Sequence, residues 1–236
     1  MKLKTKELKR QARESLTGHY GVPMAAFILI QLISFVANSP FQLPVQSRPN
    51  IFQIVIFLLA SVIISLLASI LHCGLIHIHL NRSRQKKCRT IDIFYFFTKR
   101  PDRILLTELM LTGLFLVTAI PAVGISLYAF LMDTPLFYLL AAVVWLVTFS
   151  ALTILSLQYH LTRYLLVEQP DERPVNIMRN SRKLMSGNKG RAFYIRLSFL
   201  GMSLLCLFSL GIGFLWLDPY INQTQVKFYQ NITGEI

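Results

Sequence analysis

The chain has 236 residues, of which 54% are hydrophobic and only 15% charged, with a formal net charge of +13. Soluble domains carry roughly 25% charged residues, so this chain lacks the polar surface of a water-soluble globule. Its cations fall in three clusters separated by long apolar segments, a pattern that the positive-inside rule produces and that excludes a nucleic-acid footprint.

Residues 1–20 read as a basic amphipathic helix with six Lys and Arg and a narrow apolar stripe at Leu8, Ala12 and Leu16. Residues 15–47 hold no Asp, Glu, Lys or Arg, and a first span is expected over 22–37. It should stay uncleaved, because bulky Phe35 stands where a signal peptidase needs a small residue. A polar link bearing Pro40 and Pro44 leads to a second span over 51–80. Ser61, Ser65, Ser69 and Cys73 recur there every four residues, a small-residue face suited to close helix packing. A basic loop over 81–103 comes next, then a third span over 104–131 with a kink expected at Pro121. Asp133, Thr134 and Pro135 turn the chain into a fourth span over 136–167. A basic segment then precedes a fifth span over 192–217, and residues 218–236 form a short polar tail. Tyr220, Phe228 and Tyr229 suit an aromatic anchor at the membrane interface there.

Lys and Arg number six in residues 1–20, eight in 81–103 and eight in 163–196, against one in 38–50, none in 132–135 and one in the tail. With five crossings this places the amino terminus in the cytoplasm and the tail outside. The expected fold class is thus an all-α integral membrane protein of about five transmembrane helices, with amphipathic helices on its cytoplasmic surface. Residues 174–186 form the clearest of these. Ile177, Ser181, Leu184 and Met185 share one face, Pro174 suits the first turn, and Gly187 suits the stop.

The two basic helices also align without gaps. Arg10, Arg13, Gly18 and Gly21 match Arg179, Arg182, Gly187 and Gly190, which suggests a repeat of surface helix plus membrane hairpin. The three cysteines, Cys73, Cys88 and Cys206, are scattered and read as reduced thiols.

Several segments are similar to those of one family. They are Arg163-Tyr164, Asn180-Ser181, Leu184 to Gly190, Phe193, Leu197 to Gly201, Gly211 to Gly213, Pro219-Tyr220, Thr224 and Phe228-Tyr229, together with Arg13 to Gly18. The chain resembles the multi-pass membrane family known as domain of unknown function 975. The resemblance implies a bacterial plasma-membrane protein and supplies no activity. A more distant likeness, to the membrane region attached to some glycerophosphodiester phosphodiesterases, points towards lipid-linked processes.

Ionisable residues within spans are the first functional candidates. His72 is the deepest, and a His72–Glu108 pair could serve proton or ion movement. His77, His79, His160 and Arg163 are expected to gather at the cytoplasmic interface. Cys73 and His77 have the spacing of half a metal site, but no motif completes it. No nucleophile elbow, phosphate-binding glycine loop or paired catalytic carboxylates occur. The expected role is a non-enzymatic scaffold or accessory component of envelope or lipid-linked processes, without a cofactor. Its partners would be the bilayer, anionic lipids at the cytoplasmic face and other membrane proteins. The alternative is a small transporter or channel for an ion, lipid or hydrophobic solute.

Overall fold

The computed structural model describes residues 3–39 and 50–236, and all regular structure among them is helical. The proline-bearing link expected around Pro40 and Pro44 lies outside these residues. Five stretches are long and apolar enough to cross a membrane: Gly21–Asn38, Ile51–Ser83, Pro101–Met132, Pro135–Glu168 and Lys189–Phe208. Only 11–17% of each stretch's most apolar window is buried inside the protein. Side chains this apolar and this uncovered need hydrocarbon around them.

The first spans are helices α2 (Gly21–Asn38) and α3 (Ile51–Ser83), preceded by α1 (Thr5–Leu16). Asn50 starts α3 as half of a reciprocal capping box with Gln53. A 3-10 turn at Thr90–Phe94 and the short α4 (Tyr95–Thr98) lead into α5 (Pro101–Met132), which runs unbroken across Pro121. Helix α6 (Pro135–Gln158) returns and continues, after a break at 159–161, into α7 (Thr162–Glu168). The surface segment is α8 (Pro174–Met185). The last third comprises α9 (Lys189–Leu197), α10 (Leu200–Phe208) and α11 (Phe214–Thr233).

The molecule has two zones. At one end, the final turns of α3 and parts of α5, α6, α7, α8, α9 and α11 share a core that includes Leu80, Leu161, Ile177, Ile195 and Phe228. Leading away from it are the apolar lengths of α2, α3, α5 and α6, whose large side chains stand exposed. The small-residue face of α3 is used only at its inner end: Ser69 and Cys73 are buried, whereas Ser65 is exposed.

The carboxyl-terminal segment departs most from expectation. Residues 192–217 do not form one continuous helix: the chain breaks at 198–199 and turns back at 209–213, and the apolar stretch runs over Lys189–Phe208. Residues 218–236, expected as a short polar tail, are largely helical, as most of α11. Helix α11 doubles back antiparallel to α9 and α10, with Phe199 against Tyr220 at one level and Arg191 against Asn231 at another. The Leu3 amide donates to Asn231 Oδ1 at 3.1 Å, and Arg191 bonds the Leu3 carbonyl at 2.7 Å. The two ends of the described chain are thus in direct contact. Phe228 and Tyr229, expected at an outer interface, are wholly buried in the core.

The amphipathic stripes also face protein. Leu8, Ala12 and Leu16 are fully buried as α1 packs on α11, and Ile177, Ser181 and Met185 are fully buried as α8 packs on α5, α6 and α7. These triplets occupy equivalent positions in the aligned repeat. Both helices have 12 residues, and each is followed by a glycine of positive φ, Gly18 at +75° and Gly187 at +73°. Gly21 and Gly190 open or nearly open the next helices and have open space where a Cβ would be.

A close approach pins α3 to the 3-10 turn. A Cβ on Gly74 would sit 2.0 Å from the Ile93 carbonyl oxygen. Gly74→Ala must therefore push backbone from backbone, and a loss of about 1–3 kcal/mol is expected, read as a lower Tm in detergent.

The carboxyl end is latched by Arg84, which pairs with Glu168 and, at 2.7 Å, with Glu235. Tyr229 donates to the other Glu168 oxygen at 2.5 Å. The Arg84 guanidinium, assisted by Gln230, holds the Glu235 carboxyl below its ordinary value of 4.5 despite partial burial. A depressed carboxyl stabilises the fold above its ordinary pKa and loses that contribution as pH falls through the lower folded-state value. Proteolysis of the carboxyl end should therefore accelerate as pH drops below 4.5. Arg84→Gln should remove this pH dependence and cost about 1–2 kcal/mol, because the three side chains are only partly shielded from water.

Candidate functional site

A cavity of about 290 Å³ lies where the packed zone meets the apolar lengths of the helices. Helix α3 contributes His72, the α6–α7 break contributes His160, and α7 contributes Arg163 and Tyr164. Helix α9 adds Arg196, and α11 adds Asn222 and Gln225. His160 lies within the 159–161 break and reaches α11 through Gln225.

His160 is held between two partners. Its Nε2 lies 2.8 Å from Gln225 Oε1, an oxygen that can only accept, so Nε2 carries the proton. Nδ1 is then left as an acceptor for the Arg196 guanidinium at 2.7 Å. The ring is thereby fixed in its neutral tautomer and serves as a ligand for an arginine. The other arm of Arg196 reaches Ser156 Oγ at 3.4 Å. No carboxylate pairs with Arg196 among the described residues.

Arg163 grips Glu108 with a two-pronged contact, Nη2 to Oε1 at 2.7 Å and Nε to Oε2 at 3.3 Å. His72 and Glu108, expected as a pair, share no hydrogen bond; the Glu108 carboxylate is bonded by Arg163. A guanidinium offers two parallel donors to a carboxylate, which an imidazole cannot match. His72 is exposed and lines the cavity without a hydrogen bond from the described residues. Two guanidiniums and one carboxylate leave the site with an excess of positive charge.

The four residues expected at the cytoplasmic interface fall into separate surroundings. His160 and Arg163 meet in this cavity, but His77 and His79 point elsewhere. His77 stacks on Tyr95 at 4.8 Å and accepts from Asn81, and the buried His79 bonds Gln223 at 2.8 Å. Residues two apart on a helix are about 200° apart around its axis, so the two rings cannot share a site.

Arg196, Asn222 and Gln225 join the site without having stood out in the sequence. Arg196 had a signal, as a lone cation inside an apolar block. Helix α11 had a fainter one, in the helical spacing of Leu217, Ile221, Thr224 and Phe228.

No curated protein and no solved structure matches the chain. A family model does, over residues 1–235, and the chain accordingly belongs to the family described as protein of unknown function (DUF975).

Proposed function

We propose that the chain is a non-enzymatic component of the bacterial plasma membrane that holds an anionic lipid headgroup in the Arg163–Arg196 cavity. In this reading it serves as a scaffold or accessory component of envelope or lipid-linked processes. The observation that carries it is Arg196, a guanidinium bound only to neutral partners at the border between packed protein and lipid-exposed helix. Basic pockets between membrane helices on the cytoplasmic side suit anionic headgroups, and guanidinium matches phosphate oxygens in geometry as well as charge.

The proposed topology supports this depth. Termini on one side require an even number of crossings, supplied by α2, α3, α5 and α6. From Arg196 to the end of α10 at Phe208 is 12 residues, about 18 Å of helix, against a hydrocarbon core of about 30 Å. The α10–α11 hairpin therefore enters the bilayer and returns. Its tip suits hydrocarbon: Phe208 and Leu210 are 86% and 93% exposed. Every backbone N–H from Ser209 to Leu217 also bonds within the hairpin, as a lipid-exposed turn demands. The three basic segments then share one side with both termini, and the positive-inside rule makes that side cytoplasmic.

Reporter fusions test the topology. A fusion after Ile236 and one at Gln85 should both report cytoplasm, and a carboxyl-terminal reporter active outside would refute the reading. Lipid retention tests the site. After purification from mixed membranes, the chain should carry phosphatidylglycerol enriched over phosphatidylethanolamine. Arg196→Gln should cut that enrichment about tenfold, the loss of one charge-assisted pair. Equal retention by the variant would refute the headgroup site.

A small transporter is the second reading, favoured by the exposure of His72 to the same cavity. Flux of an anionic solute or lipid in proteoliposomes, abolished by Arg163→Gln, would select it over the scaffold.

A further inference from the structure

A second cavity, of about 510 Å³, opens beyond the end of α3, between that end, α1 and α11. We propose that it is a binding site for a phosphate-bearing anion on the water side of the protein. Its principal walls are Gln11, Ser15, His19, Arg82, Ser83 and Lys227.

Lys227 carries the inference. The residue is only 9% exposed, yet its side chain lines the cavity, and among the described residues no hydrogen bond or ion pair reaches its ammonium. Glu235 acts on it only through space, and that carboxylate is already bound by Arg84. The ammonium itself is open to the cavity, and an anion that replaces water there gains a charge-assisted contact in a partly enclosed space. Arg82 lines the same cavity, and among the described residues its terminal guanidinium nitrogens have no hydrogen-bond or ion-pair partner. Glu14, the only carboxylate among the lining residues, sits on an exposed face and is paired with Arg10 at 2.9 Å. Two cationic groups with unused donors thus converge on a space whose one acid is engaged elsewhere.

An anion with several acceptor oxygens answers this arrangement. Phosphate can accept from the Lys227 ammonium and the Arg82 guanidinium together, with hydroxyls of the wall within the same enclosure. The volume exceeds that of bare phosphate, leaving space for an organic body, so a phosphorylated small molecule is the chemical class. The position separates this site from the headgroup cavity. Arg82 lies ten residues beyond His72 along α3, about 15 Å, on the side of the basic loops. Lys227 and Gln225 are two apart on α11 and so face opposite ways.

The test uses the full chain in phosphatidylcholine nanodiscs, with inorganic pyrophosphate as the probe and chloride of equal ionic strength as the control. Millimolar pyrophosphate should raise Tm by about 3 °C, and Lys227→Met should abolish the increment. Because Lys227→Met removes an ammonium without a bonded counter-charge, the ligand-free variant should melt no lower than the parent. Arg196→Gln should keep the increment, which separates this site from the headgroup cavity. In nanodiscs of equal phosphatidylcholine and phosphatidylglycerol, a Lys227-dependent rise without pyrophosphate would identify a lipid headgroup as the source of the phosphate. The proposal is overturned if neither probe gives a Lys227-dependent increment, or if ligand-free Lys227→Met melts several degrees lower, since the ammonium would then be serving the fold.

Discussion

The packed end of the molecule is assembled around a helix whose buried face is largely polar. Along α11, Gln223, Thr224, Gln225 and Gln230 are buried. Water is replaced for most of them by partners on other elements: His79 for Gln223, His160 for Gln225, Ser83 for Gln230. A buried hydrogen bond contributes only about 1 kcal/mol net, but losing its partner costs about 1–3 kcal/mol. The consequence is specificity rather than bulk stability. Apolar contacts such as Phe228 and Val226 would tolerate a shift along the axis, whereas the amide partners hold α11 to one register against α3 and the α6–α7 break. The break at 159–161 and the buried final turns of α3 make sense as the counterparts of that register.

The internal repeat shows how one local design meets two environments. Helices α1 and α8 end on the same left-handed glycine and bury equivalent triplets, but α1 lies on α11 while α8 lies on α5, α6 and α7. The arms that extend from these glycines differ in continuity. After Gly18 the chain runs through 18 unbroken helical residues. After Gly187 it breaks at 198–199 and turns at 209–213, with Leu210 and Gly211 both at positive φ. The reversal at 209–213 is what returns the carboxyl end to the amino terminus and lets Asn231 bond to Leu3. An arm without that reversal would have left both cavities without the wall that α11 supplies.

The same contrast explains which parts of the fold can be read from the chain alone. Spans α2, α3, α5 and α6 are legible because exclusion of charge from lipid acts on each residue separately and leaves long uncharged blocks. The stripes of α1 and α8 are legible from their spacing, but periodicity reports only that a face is covered, not by which material. Here protein covers both. Helix α11 is hidden because hydropathy scores Gln and Asn as surface, and their burial depends on histidines more than 60 positions away. Arg196 is hidden for a different reason. Its charge places it among the cations that set orientation, a role that any residue near a span's end can fill. Only the placement of His160 and Gln225 distinguishes it from its neighbours.

The two cavities lie at different depths and share α11 as a wall, and this has a physical consequence. Asn222 and Gln225 face the Arg163–Arg196 site, while Lys227 faces the water-side site. Either occupant would add contacts to a helix whose register is already held by a few polar pairs, and both would hold it in the same position. Two ligands that stabilise one placement of a shared element favour each other's binding even without touching, to the extent that the element moves in their absence. The Arg84 latch limits that movement at the carboxyl end, since Glu235 and the Tyr229–Glu168 contact are both tied to it. Helix α3, which carries His72 in one cavity and Arg82 in the other, is the second element through which the two sites are joined.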